Sequence, residues 1–143
     1  KTSFINNIVT YNDLPQTLKD KIADKKVFCG YRKGTYSESS QFKEHINRDW
    51  GIPLVYTNDG GQTGLYFPYH QILEMENTPQ EECDALIEEL RQHVVQEKYI
   101  YHHEWQNHDL LLSEQWLSIH KRWQFDQMED RLMHRIAYDY PNL

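Results

Sequence analysis

Cysteine is scarce in this chain. Cys29 and Cys83 are the only two among 143 residues, and neither sits in a Cys-x-x-Cys or Cys-His pattern. That excludes a disulfide-stapled scaffold and a cysteine-rich zinc module, and two isolated thiols suit a reducing, cytoplasmic setting. Long apolar runs are also missing: nothing approaches the roughly 20 residues that a membrane-spanning helix needs, and the opening residues do not read as a secretory leader. Positive charge is in deficit, with 15 Lys and Arg against 22 Asp and Glu and a net charge of −7. The basic residues are scattered, so no electrostatic footprint for a nucleic-acid backbone exists. Repeats, low-complexity tracts and linkers are absent, which leaves a single domain as the expectation for residues 1–143.

What the chain does have is 13% aromatic residues within 38% hydrophobic content. That balance describes a wet surface with half-buried tyrosines and tryptophans covering a barrel. Residues 10–24 read as one helix, with Asn12 or Asp13 as cap, Pro15 in the first turn and Leu14, Leu18 and Ile22 as its apolar stripe. Residues 30–50 lack periodicity and read as a surface excursion. Segments 53–56 and 63–67 form a hairpin about Asn58-Asp59-Gly60-Gly61, a composition that supplies positive φ cheaply. Thr78-Pro79-Gln80-Glu81 has the spacing of a capping box, and Cys83, Leu86, Ile87, Leu90 and Val94 recur at three and four residues, which predicts a helix to about residue 96. Segments 99–105 and 110–112 read as further strands, and 116–120 leads on to the position of His120. Short strands interrupted by one capped helix favour an antiparallel jelly roll with helical insertions.

The most informative stretch runs from His120 to Arg135. From Arg131 to Tyr138, a period of two places Arg131, Met133, Arg135 and Ala137 on one face and Leu132, His134, Ile136 and Tyr138 on the other. If the second face packs on the body of the protein, two guanidiniums line a cavity and require an anion, because a buried unpaired charge is very costly. Taken alone, His120 is one of eight histidines, and Arg131 has Asp126, Glu129 and Asp130 within reach as surface partners worth roughly 0–1 kcal/mol. The cluster His102-His103-Glu104 with His108-Asp109 suits an exposed rim better than a metal centre.

A histidine followed by Arg-x-x-x-Arg at this spacing resembles the C-terminal signature of the taurine dioxygenase (TauD/TfdA-type) family of iron(II)- and 2-oxoglutarate-dependent oxygenases. The resemblance extends to Lys1-Thr2-Ser3-Phe4, to Gly51-Ile52-Pro53-Leu54-Val55-Tyr56-Thr57 with Gly64-Leu65-Tyr66-Phe67, and to residues 78–99. It implies a mainly β double-stranded β-helix, or jelly roll, incomplete in this chain. It also implies that His120 is the distal histidine of a two-histidine, one-carboxylate triad. Arg131, with Thr2, would hold the far carboxylate of 2-oxoglutarate. Arg135 would lie nearer the metal and meet an acidic substrate group, and Gln71 and His70 would fall along the substrate pocket. The implied reaction joins a small organic substrate, O2 and 2-oxoglutarate and releases succinate and CO2, with hydroxylation as the default outcome.

One departure stands out. The family draws its other two iron ligands from a His-x-Asp or His-x-Glu pair ahead of the Thr2 position, and the only such triplet here, His102-x-Glu104, lies in the wrong element. The expectation is therefore the C-terminal portion of a dioxygenase domain, completed by an N-terminal segment or by self-association. The rival reading is a noncatalytic carboxylate-binding relative, or a structural fragment, that lacks the full triad.

Overall fold

A computed structural model describes residues 1–31, 45–46, 48–124 and 132–137. The chain enters it as strand β1 (Thr2–Asn6), which runs directly into helix α1 (Asn7–Asn12) and then helix α2 (Gln16–Ile22). The single helix expected over 10–24 is thus two. Asn6 caps the first, its side chain accepting from the Ile8 N–H. Pro15, with φ −56° and ψ 142°, sits at the head of the second rather than inside its first turn. Proline has no N–H to give and pushes its predecessor out of the helical region, so the chain breaks there. The stripe itself is as expected: Leu14, Leu18 and Ile22 are all buried.

Strand β2 (Lys26–Tyr31) is the hub of the second sheet. It pairs antiparallel with β3 (His45–Ile46), with β4 (Ile52–Pro53) and, through a bulge between Phe28 and Cys29, with β7 (Ile72–Met75). Residues 30–31 and 45–46 of the excursion expected over 30–50 therefore belong to strands and 48–50 do not, while 32–44 and 47 lie outside the described residues. Strands β5 (Val55–Thr57) and β6 (Thr63–Leu65) make the expected hairpin, in register from Val55–Leu65 to Thr57–Thr63. Its turn closes by a hydrogen bond from Gly61 N–H to the Asn58 carbonyl, with Gly61 at φ +75°, a conformation that glycine adopts without strain.

Helix α3 (Gln80–Val94) buries Cys83, Leu86, Leu90 and Val94 against the sheets and keeps Glu81 and Glu82 in its first turn, where they complement the helix dipole. The capping box does not form. Thr78 Oγ1 instead donates to the Glu76 carbonyl and accepts from Lys25 Nζ at 2.7 Å. A 3-10 turn, Glu97–Tyr99, leads into β8 (Ile100–His103), and β9 (Ser118–Arg122) follows. Residues 110–112 are not a strand: Leu110 and Leu112 are 84% and 87% exposed, so no sheet face rewards their extension. Nor is there regular structure over 132–137, where Leu132 and Ile136 face solvent instead of packing on the body.

The third sheet has the order β8-β1-β9, antiparallel throughout. Directly opposed residues share a face, so the register sorts its side chains cleanly. Ile5, Ile100 and Ile119 form one row, buried or packed on the core. On the other face stand Thr2, Phe4, Tyr101, His103, His120 and Arg122.

Candidate functional site

Phe4 and Thr2 alternate onto the same side of β1, and Phe4 is the direct partner of His120, so the threonine and the histidine share one face. The His120 ring lies against Phe4, with centroids 6.1 Å apart. Burial first, and then the positive charge of Arg135, push its pKa below the usual histidine value. The residue as a whole is exposed, so the ring is sheltered on the Phe4 side and open on the other. A neutral imidazole with an open edge has the protonation state that a metal ligand requires.

Thr2 is 5% exposed, and its hydroxyl oxygen accepts a hydrogen bond from Trp105 Nε1 at 2.8 Å. Trp105 continues the His103 side of β8 and stands edge-on to the His103 ring at 4.4 Å. On the opposite face, Trp123 Nε1 donates to Ser3 Oγ at 2.6 Å, Ser3 Oγ meets His102 Nδ1 at 2.6 Å, and His102 Nε2 meets Glu97 Oε1 at 3.1 Å. An indole N–H can only donate, so the Ser3 hydroxyl accepts from Trp123, and its bond with His102 runs in the direction that the His102 tautomer sets. The chain ties β1, β8 and the exit of β9 together beneath the open face.

The other expected site residues are more scattered. Arg131 lies outside the described residues. Arg135 is exposed, with Nη2 3.3 Å from Gln115 Oε1, while its charge still reaches His120. His70 is exposed and packs on Tyr69 at 4.1 Å, its pKa lowered by burial and then by Arg91 and Lys121. Lys121 leaves β9 on the face opposite His120, so the described contacts do not gather His70 with the histidine of the open face. Gln71 is half-buried, and its main chain is occupied, accepting from Gly30 N–H and donating to the Pro68 carbonyl.

The profile of the taurine catabolism dioxygenase TauD, TfdA family matches residues 1–137. The chain belongs to this family. Among curated proteins it is 24% identical, over 146 aligned positions, to the alpha-ketoglutarate-dependent 2,4-dichlorophenoxyacetate dioxygenase of Burkholderia sp. (strain RASC), covering 95% of this chain and 47% of that protein. The crystal structure of AAD-2 in complex with Mn(II) and N-oxalylglycine superposes with a TM-score of 0.73 at 22% identity, over 90% of this chain and 48% of the other. A taurine dioxygenase from Burkholderia xenovorans superposes with a TM-score of 0.59 at 17% identity, over 73% of this chain and 34% of its own. The fold is the jelly roll of TauD-type dioxygenases, and this TauD, TfdA-family chain spans about half the length of the relatives it matches.

The donor set tests how well iron fits. Among the described residues no three His, Cys, Asp or Glu side chains gather as a metal site. His120 offers one imidazole without a carboxylate partner, so these residues do not hold the metal by themselves. The rim cluster is accounted for by other contacts: His102 bonds to Ser3 and Glu97, and His103 approaches Tyr101 and Asp109. Among the described residues no helix is long and apolar enough to cross a membrane.

Sequence reasoning treated Trp105 as barrel packing and missed its bond to Thr2. The available signal was that a half-buried indole N–H needs an acceptor, but nothing local says which one.

Proposed function

We propose that this chain is the C-terminal part, a single domain portion over 1–143, of an iron(II)- and 2-oxoglutarate-dependent oxygenase of the cytoplasm. In this reading a small anionic organic substrate is hydroxylated by O2 while 2-oxoglutarate is converted to succinate and CO2. The observation that carries it is the common open face of Thr2 and His120, the two positions at which the family resemblance implies co-substrate and metal contacts.

His120 would supply one neutral imidazole ligand, and the remaining two would come from polypeptide that covers the open face. Thr2 and Arg131 would receive the far carboxylate of 2-oxoglutarate, the first as a hydroxyl donor and the second as a two-pronged guanidinium. Arg135, together with Gln71 and His70, would face the substrate. The curated relative acts on 2,4-dichlorophenoxyacetate by name, so aryloxyacetates lead the panel of carboxylates and sulfonates to be tried. The described residues hold only one candidate ligand, which supports a second reading, a carboxylate-binding relative without turnover.

The test uses the full-length protein with Fe(II), 2-oxoglutarate and that panel, following succinate release. Arg131→Ala is expected to raise the 2-oxoglutarate requirement severely, about 10-fold or more, while leaving iron binding intact. His120→Ala is expected to abolish metal-dependent turnover. An unchanged 2-oxoglutarate dependence in the first variant would remove the clamp role. Binding of 2-oxoglutarate with no succinate from any substrate would favour the second reading.

A further inference from the structure

We propose that Trp105 is a positioning residue that sets the polarity of the co-substrate site, by occupying one lone pair of the Thr2 hydroxyl and leaving its hydrogen to be donated to the ligand. The inference rests on the reading of Thr2 as a co-substrate contact and goes beyond it, because it explains what the hydroxyl must present.

The argument starts from what each group can do. An indole nitrogen has a hydrogen and no lone pair to offer, so in the 2.8 Å contact between Trp105 Nε1 and Thr2 Oγ1 the threonine oxygen is the acceptor. The hydroxyl keeps one hydrogen, and among the described residues none accepts it. At 5% exposure Thr2 has little water with which to satisfy it, and a hydroxyl left unpaired in such a place is unfavourable. An ionised carboxylate has only acceptor oxygens. The site therefore offers an acceptor a hydrogen that no other described residue takes, whereas a ligand group that presents N–H to this oxygen would use its second lone pair and leave that hydrogen unpaired.

The indole is itself held. It stands at 84° to the His103 ring, with centroids 4.4 Å apart, and His103 is 3.2 Å from the Tyr101 hydroxyl through Nδ1. Asp109 Oδ2 lies 3.0 Å from His103 Nε2, a close approach outside hydrogen-bond geometry. Trp105, His103 and Thr2 thus occupy one face in series, and the orientation of the hydroxyl passes from β8 to β1 through a single donor.

The probe is N-oxalylglycine binding to the Mn(II)-loaded full-length protein, measured by calorimetry. Thr2→Val is expected to weaken binding about 10- to 100-fold, since a hydrogen bond to a charged group is lost. Trp105→Phe, which keeps an aromatic ring but loses the donor, is expected to weaken it about 3- to 10-fold. The double variant should bind no worse than Thr2→Val, because Trp105 acts only through that hydroxyl. A purely structural tryptophan would add its own loss in the double variant, and that result overturns the proposal. So does full affinity in Trp105→Phe alongside a weakened Thr2→Val, which leaves the Thr2 reading standing. Full affinity in Thr2→Val would instead overturn the Thr2 reading and the proposal with it. If Trp105→Phe does not fold, the wild-type indole proton decides by nuclear magnetic resonance: protection from solvent exchange with and without N-oxalylglycine supports the proposal, and free exchange in the bound state overturns it.

Discussion

At the scale of single residues, burial decides which protonation states this chain can use. Tyr66 shows it most plainly. Burial, followed by the neighbouring Cys29 thiol, pushes its phenol from 10.0 up to about 12. The folded state therefore holds the proton more tightly than the unfolded chain. The stability this contributes is fully present below about pH 10 and is lost as pH rises from there through about 12. Following phenolate absorbance against pH is expected to show a late-titrating tyrosine, and Tyr66→Phe should remove that step and flatten the alkaline loss of stability. A late step that survives the substitution would assign it elsewhere. The identity of His120 as a candidate was legible from spacing and resemblance, whereas its sharing a site with Thr2 was legible from the resemblance alone. That depends on Phe4 pairing with His120, a register set between segments more than a hundred positions apart, which no local pattern encodes. Arg135 shows the converse. Its alternation suggested an inward strand, yet the apolar residues beside it stay exposed, because periodicity predicts a face only where another surface exists to bury it.

At the scale of elements, what local chemistry specifies came through and what neighbours specify did not. The Asn58 to Gly61 turn and the α3 stripe rest on φ preferences and on 3.6-residue spacing, both properties of the segment alone. The diversion of Thr78 toward Lys25 rests instead on a residue 53 positions away that the segment does not contain. A close neighbour contact is made at Gly64, where an added Cβ would meet Asn7 O, Ile8 Cα and Ile8 N, all at 3.0 Å. These are backbone atoms and cannot swing aside. Gly64→Ala is therefore expected to cost about 1–3 kcal/mol by overpacking, read as a lower urea midpoint with an unchanged slope. Wild-type stability in that variant would show that α1 can slide off the hairpin.

At the scale of the whole molecule, the described residues cover the sheet β8-β1-β9 on one side only. Its open side shows Phe4 and His120 with Tyr101 at 59% exposure, and nearby loops add Leu110 and Leu112. Among the described residues, β8 and β9 each pair along one edge. Apolar rings on an uncovered face and unpaired strand edges both favour association. Residues 1–143 purified alone are expected to sediment as dimers or larger and to bind a hydrophobic dye, whereas a longer protein that supplies the covering sheet should do neither. A dye-silent monomer would mean that the face needs no cover. The central strand of that sheet also sets a clock on biogenesis. Thr2 to Asn6 are made well before their ladder partners, residues 100–103 and 118–122. At about 5–20 residues per second on the ribosome, this ribbon waits on the order of 5–20 s for its mates, and loops of that span close slowly even then. During that interval it is a substrate for chaperones, and synthesis halted before residue 118 leaves it with one flank unmade.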